Sequence, residues 1–237
     1  MPRFLLLLAC VLSAAADVTG ATTQSRILFG GDTSHGDNYQ AGIADQGGTN
    51  LLEARGYDYS FQRLAPLMSQ AEAVIVNLET PLVSRGEAVL ASRKLVHWSA
   101  PAQAAQSLAR QGVTAVSLAN NHAMDHGGLG LASTLDALST AGVAAFGAGY
   151  SESAAAKPWR TTLTVGNQRV SVSVIGGFSR DSLHDQFGFY ARHDAAGVLG
   201  LDPESIDRVI RRARQAYPDD FLVLFPHWGR NYAWEDD

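Results

Sequence analysis

The sequence predicts an α/β protein, on three observations. Short apolar runs rich in β-branched residues alternate with segments whose apolar residues recur at helical spacing, in the order strand, helix, strand, helix, strand. Each run stops at glycine and a cluster of polar residues, as strands of open α/β sheets do at their ligand-binding edge. Alternating residues also flank the Gly166–Asn167 pair, so Arg160 to Val165 and Arg169 to Ile175 read as an antiparallel hairpin and imply a second or mixed sheet.

The 237 residues suffice for one large α/β domain or two small ones, and a 46% hydrophobic content allows a full core. Residues 1–16 read as a secretory signal: Arg3, an apolar core from Phe4 to Leu12, then small residues ending at Ala16. The apolar run is too short to span a bilayer. Cys10 is the only cysteine, so no disulfide is expected in the folded part. With Leu7, Leu8 and Ala9 before it, Cys10 also approaches a lipoprotein box, but ordinary cleavage is preferred; either way the protein is expected to be exported to the periplasm or cell envelope, with lipid anchoring through Cys10 as the variant. No transmembrane helix is expected once the signal is removed. A formal charge of −5 and the absence of a basic cluster with interleaved aromatics speak against nucleic acid as a partner.

After a polar linker, residues 17–25, Arg26 to Phe29 form a short strand ending at Gly30, Gly31 and Asp32. Asp32 either starts a turn or stands exposed at the strand's carboxyl end, and His35 follows in the same loop. Residues 36–56, rich in Gly, Asn, Asp and Gln, read as a long surface loop. Phe61, Leu64, Leu67 and Met68 predict a helix reaching about Gln70. Ala73 to Val76 is a buried strand running into Asn77, Leu78 and Glu79. Ser84 to Ser99 is irregular, and Arg85, Arg93, Lys94, His97 and Trp98 read there as a solvated loop. A helix follows from Pro101 to Arg110.

The stretch from Gly112 to Gly128, GVTAVSLANNHAMDHGG, is the centre of the pattern. Val113 to Leu118 is a strand, and Asn120, Asn121, His122, Asp125 and His126 crowd its end. Polar groups in such a place need partners: each other, the backbone, water or a metal. An Asx-type turn with His122 packed against it accounts for them equally well. Beyond it, a helix carrying Leu131, Thr134, Leu135 and Leu138 stops at Gly142, and Val143 to Phe146 is a strand ending in Gly147, Ala148 and Gly149. That GxG lacks the third glycine of a dinucleotide fingerprint and reads as a turn. Residues 179–200 read as exposed loops in which His184 and His193 are surface histidines. Asp202 and Pro203 open a helix with Arg208, Arg211, Arg212 and Arg214 on its wet face. Phe221 to Phe225 is the last strand, running into His227.

Asp32, Glu79, Asn121 with His122, and His227 thus each follow an apolar strand, and crossover connections bring such ends to a common edge. Carboxylate, amide and imidazole without thiolate form a donor set suited to Mn, Fe or Zn.

With Gly31–Asp32, NLETPL from Asn77 to Leu82, SLANNHAMDHG from Ser117 to Gly127, GAG from Gly147 to Gly149 and HWG from His227 to Gly229, the sequence resembles the bacterial capsule synthesis proteins of the poly-γ-glutamate type, CapA- or PgsA-like, within the calcineurin-like metallophosphatase superfamily. The resemblance covers residues 26–237. It implies a metallophosphatase-like αββα sandwich of two mixed β-sheets and one or two divalent ions (Mn, Fe or Zn) held by Asp32, Glu79, Asn121 and His227. It also implies His122 as catalytic acid, with His35, Asn77, Asn120 and Asp125 as further candidates around the site. The expected activity is metal-dependent, phosphoesterase-like hydrolysis within poly-γ-glutamate capsule synthesis. The alternative is a non-catalytic envelope component that binds the anionic polyglutamate or its membrane-bound synthase. Two departures accompany the likeness. The first motif has Ser34 where metallophosphatases carry the histidine of DxH, and a GHHPH-like motif expected after HWG is not reached, so the domain is expected to be C-terminally incomplete with its last strands missing.

Overall fold

A computed structural model describes residues 24–35, 37–83 and 98–229. The targeting segment with Cys10, most of the linker, and residues 84–97 with Arg85, Arg93, Lys94 and His97 lie outside the described residues. In chain order the elements are β1 (Ile27–Thr33), α1 (Asp37–Asp45), α2 (Leu51–Arg55), a 3-10 turn (Tyr57–Ser60), α3 (Ala65–Met68), β2 (Ala73–Leu78), α4 (Gln103–Arg110), β3 (Ala115–Ser117) and α5 (Gly127–Ala141). They continue with β4 (Ala144–Phe146), β5 (Ala148–Gly149), α6 (Glu152–Ala155), β6 (Trp159–Val165), β7 (Gln168–Ser179), α7 (Ser182–Gln186), β8 (Gly197–Val198), β9 (Gly200–Leu201), α8 (Pro203–Ala216) and β10 (Phe221–His227).

Two sheets result. The first has the order β1-β2-β3-β4 and is parallel throughout, because a helical crossover separates each pair of neighbours. Mixed pairing was expected in both sheets and occurs only in the second, β10-β7-β6, where the hairpin β6–β7 is antiparallel and β10 joins β7 in parallel. The hairpin turns at Gly166, whose φ of 59° suits a residue without Cβ.

The period-two pattern of the strands sorts side chains into layers. Val74, Val76 and Leu78 face the helices and pack with Leu108, Leu131 and Leu138. Ala73 and Ile75 face the other way and meet Leu163, Val172 and Val174 of the second sheet. Ile175 turns outward again, onto Val209 and Ala213 of α8. The order is therefore helices, sheet, sheet, helix, the αββα arrangement.

The sheets approach closely behind the strand ends. A Cβ on Gly176 of β7 would lie 2.7 Å from Ser117 Oγ and 3.1 Å from the Phe146 ring, and one on Gly147 would lie 2.8 Å from Ala119 Cβ. At the far end of the second sheet, Arg160 Nε and Nη2 donate to Asp220 at 2.7 and 2.9 Å, and the buried Ser173 hydroxyl donates to the same carboxylate at 2.5 Å. The start of β10 is thereby tied to β6 and β7.

Several expectations are corrected. β1 does not stop at Phe29: a register shift between Phe29 and Asp32 absorbs Gly30 and Gly31, the strand continues, and Asp32 pairs with Asn77. Residues 36–56 are not one long loop but contain α1 and α2, the latter capped by Asn50, whose side chain accepts from the Leu52 and Glu53 N–H groups. The helix expected from Phe61 to Gln70 is a turn over residues 61–64 followed by the four residues of α3, since Pro66 lacks an N–H and is tolerated only in a first turn. By contrast α5 ends at Gly142 in the left-handed conformation, and α8 begins with an Asp202–Ser205 capping box, both where the sequence places them.

If the close approach of the sheets sets their spacing, Gly176→Ala destabilises the protein by about 1–3 kcal/mol. Gly42→Ala, in a helix with nothing within 4 Å of the added carbon, is neutral or stabilising. Urea denaturation of the two variants checks the contrast.

Candidate metal centre and cleft

Four chain segments converge at the carboxyl ends of the two sheets. Asp32 comes from the bulged end of β1, Glu79 follows β2 directly, Asn121 and His122 follow β3, and His227 closes β10. Asp32, Glu79 and His227 each present a ligand-type atom within 4.8 Å of the other two. His227 Nδ1 lies 3.4 Å from Asp32 Oδ1, and its Nε2 lies 3.7 Å from Glu79 Oε1 and 2.9 Å from Asn121 Oδ1. Two carboxylates, an imidazole and an amide oxygen are the hard-to-borderline donors that a first-row divalent cation takes. These residues fit such an ion.

Asn77 organises the group. Its Nδ2 donates to Asp32 Oδ1 at 2.7 Å and faces His227 Nδ1 at 3.2 Å, while its Oδ1 accepts from Asn120 Nδ2 at 3.0 Å. Interaction with His227 holds the Asp32 carboxyl below its ordinary pKa, with help from Asn77 and the charges of His227 and His122, against burial acting the other way. Burial alone depresses His227, yet the hydrogen bond and charge of Asp32, and the charge of Glu79, raise it above the usual imidazole value.

Next to this group stands a second pair. His122 Nδ1 donates to Asp125 Oδ2 at 2.7 Å, and the fully buried Asp125 accepts from the Trp98 backbone N–H on the same oxygen, also at 2.7 Å. The edge of Trp98 packs on His122, with ring centroids 5.7 Å apart. Asn120 makes the Asx turn that the sequence allowed: its Oδ1 accepts from the His122 and Ala123 N–H groups, and its Nδ2 also donates to the Leu78 carbonyl. The turn sets the position of His122.

Of the further candidates, Asn77 touches the three-group cluster, whereas Asn120 and Asp125 are fully buried and spend their oxygens on the turn and on His122. His35 is not brought to the cluster. Its buried ring packs edge-on against Tyr57 and Phe61, with centroids 5.2 and 6.0 Å away, and neither nitrogen has a hydrogen-bond partner among the described residues.

Asp32, Glu79, Asn121, His122 and His227 line a cleft of about 620 Å³. Its wall also includes Trp98, Phe178, Asp181, His184 and Trp228. The sequence reading missed His184, treating it as a surface histidine. Asp181 and His184 stand three apart at the start of α7, a spacing that fits an N-terminal cap and that in retrospect marks the pair.

A parallel sheet packed on a mixed one between helical layers, with carboxylates and imidazole at the strand ends, defines a metallophosphatase-like protein. Residues 26–237 match the family described as Bacterial capsule synthesis protein PGA_cap, and the chain belongs to that family. It is 29% identical over 182 residues to the PGA biosynthesis protein CapA of Bacillus subtilis (strain 168), covering 77% of this chain and 45% of that one. It is 32% identical over 179 residues to a probable polyglutamine synthesis accessory protein of Mycobacterium tuberculosis (strain ATCC 25618 / H37Rv), covering 73% and 46%. Against the capsule biosynthesis protein CapA of Bacillus anthracis it is 27% identical over 187 residues, covering 77% and 43%. The chain thus matches less than half the length of each of these relatives.

Burial pushes the pKa of His35 down to about 4, the Asp58 charge opposing. Protonation therefore favours the unfolded chain, whose histidine titrates near 6.5. Stability is full above that pH and declines as pH falls towards about 4, by about 3 kcal/mol at 1.36 kcal/mol per unit. Urea melts at pH 7 and pH ~4.5 are expected to show a loss that His35→Phe reduces; an equal loss in both proteins contradicts the assignment.

Proposed function

We propose that this chain serves in poly-γ-glutamate capsule synthesis as an exported envelope protein, and that its cleft is a metal-dependent, phosphoesterase-like hydrolase site. The family membership and the names of the relatives support the first part. The amino-terminal signal pattern supports export, and among the described residues no helix is long and apolar enough to cross a membrane. A membrane-bound capsule synthase is the proposed partner, and a phosphoester or the anionic polymer the proposed ligand.

One observation carries the hydrolytic reading: an imidazole held by a buried carboxylate shares a cleft with the carboxylate–imidazole cluster. A cation that only held polymer carboxylates needs no oriented acid–base group beside it. Asp32, Glu79, His227 and Asn121 would hold the ion, Mn, Fe or Zn by their donor types. When bound, such an ion polarises a phosphoryl-type oxygen and lowers the pKa of coordinated water to about 7.

The chain's own residues supply the rest. Asp125 engages Nδ1 of His122, fixing the ring's tautomer and orientation, so that proton exchange with a ligand oxygen falls to Nε2. The Trp98 N–H donates to the same carboxylate oxygen and so helps hold Asp125 in place beside the ring. Asn77 keeps Asp32 and His227 facing one another.

Hydrolysis of p-nitrophenyl phosphate and its bis-ester with added Mn²⁺ or Zn²⁺ tests this. The protein is expected to turn over one of them, and His122→Ala to lower kcat by about 10²–10⁴-fold. Turnover unchanged in that variant removes the hydrolase reading. Binding of a γ-glutamate oligomer without turnover of either ester favours the non-catalytic component.

A further inference from the structure

A second imidazole–carboxylate pair faces the same cleft and takes no part in the steps above. His184 Nδ1 donates to Asp181 Oδ2 at 2.6 Å, and Asp181 Oδ1 accepts from the His184 backbone N–H at 2.9 Å. A helix cap needs only the second of these bonds. The first fixes the ring about its own axis. Two aromatic rings then clamp it edge-on, Phe178 with centroids 5.0 Å apart and Phe189 at 5.3 Å. Phe178 in turn packs on His227 at 5.6 Å, so His184 and the cluster histidine rest on one phenyl ring.

The imidazole is thus fixed on three sides, 15% exposed, on the wall of the cleft, and its Nε2 has no hydrogen-bond partner among the described residues. Ordering a histidine this fully costs side-chain entropy, and a plain surface histidine has no such framework. Among the described residues lining the cleft there is neither lysine nor arginine, which leaves imidazole, indole, amide and hydroxyl groups as the side-chain donors for an anionic ligand.

We infer that His184, positioned by Asp181, is a ligand-binding residue that takes up a second proton as an anion binds, so that Nδ1–H stays on Asp181 while Nε2–H donates to a non-reacting oxyanion of the molecule bound in the cleft, phosphoryl or carboxylate. This deepens the proposed function by giving the substrate a second point of attachment. His122 acts at the reacting oxygen, and His184 holds an oxygen away from it. Such a contact, present before and during reaction, is felt in KM more than in kcat.

Calorimetric titration of the Zn²⁺-loaded protein with methylphosphonate and, separately, with a γ-glutamate tripeptide tests the inference without turnover. His184→Ala is expected to weaken binding of at least one probe on the order of tenfold, the loss of one charge-assisted hydrogen bond. His184→Gln, which keeps an N–H donor, restores part of it, and Asp181→Asn falls between. The probe that responds identifies the oxyanion. In the ester assay, His184→Ala raises KM on the order of tenfold with kcat moved by less than about threefold. Unchanged affinity for both probes in His184→Ala, or no binding of either probe by the parent protein, overturns the inference. Absence of ester turnover with binding that still depends on His184 overturns the hydrolase reading alone.

Discussion

The site depends on one buried amide. Asn77 sits in the middle of the parallel sheet, opposite Asp32 in register, and its side chain reaches Asp32 on one strand, Asn120 after another and His227 on the second sheet. The Asn77 and Asn120 amides are buried, and leaving either unpaired would cost about 1–3 kcal/mol. The amide also dictates geometry: an N–H holds the Asp32 carboxylate beside the His227 imidazole, and the oxygen accepts from Asn120 in the turn that carries His122. The sheets bring backbone ends together, and Asn77 turns that meeting of strands into an arrangement of side chains.

The electrostatics follow from the same arrangement. Asp32 and Glu79 would repel if they stood alone at one sheet edge. His227, arriving from the opposite sheet, lies between them and is drawn towards its charged form, while Asp32 is held in its own. His122, held by Asp125, and His184, held by Asp181, both line the cleft with the three-group cluster. One is buried and anchored from the β3 end; the other is carried by a short helix after β7. Their different surroundings match the roles proposed for them, proton exchange for the first and anion attachment for the second.

Much of this was legible in the sequence because it rests on local rules. Strand ends marked by glycine and polar residues located Asp32, Glu79, Asn121, His122 and His227, and the helix limits at Gly142 and Asp202 were written in cap residues. What was not legible depends on pairing between distant segments. The bulge at Gly30–Gly31 looks like a turn until β2 is laid beside it. The role of Asn77 is set by partners 45 and 150 residues away, and that of Asp125 in part by the Trp98 N–H, 27 residues away. His35, adjacent to the motif, is drawn off by Tyr57 and Phe61. His184 acquires its place only when β7 delivers α7 to the rim of a cleft formed by the other sheet.

The central claim is that side chains from two sheets meet to hold one cation. Anomalous scattering from a crystal equilibrated with Mn²⁺ or Zn²⁺ tests it most directly. The account predicts a peak within coordination distance, about 2.0–2.2 Å, of oxygen or nitrogen atoms of Asp32, Glu79 and His227, with Asn121 adjacent, and its loss in Asp32→Asn. A protein that takes up no ion, or whose ion lies elsewhere while the cluster keeps its hydrogen bonds, contradicts it.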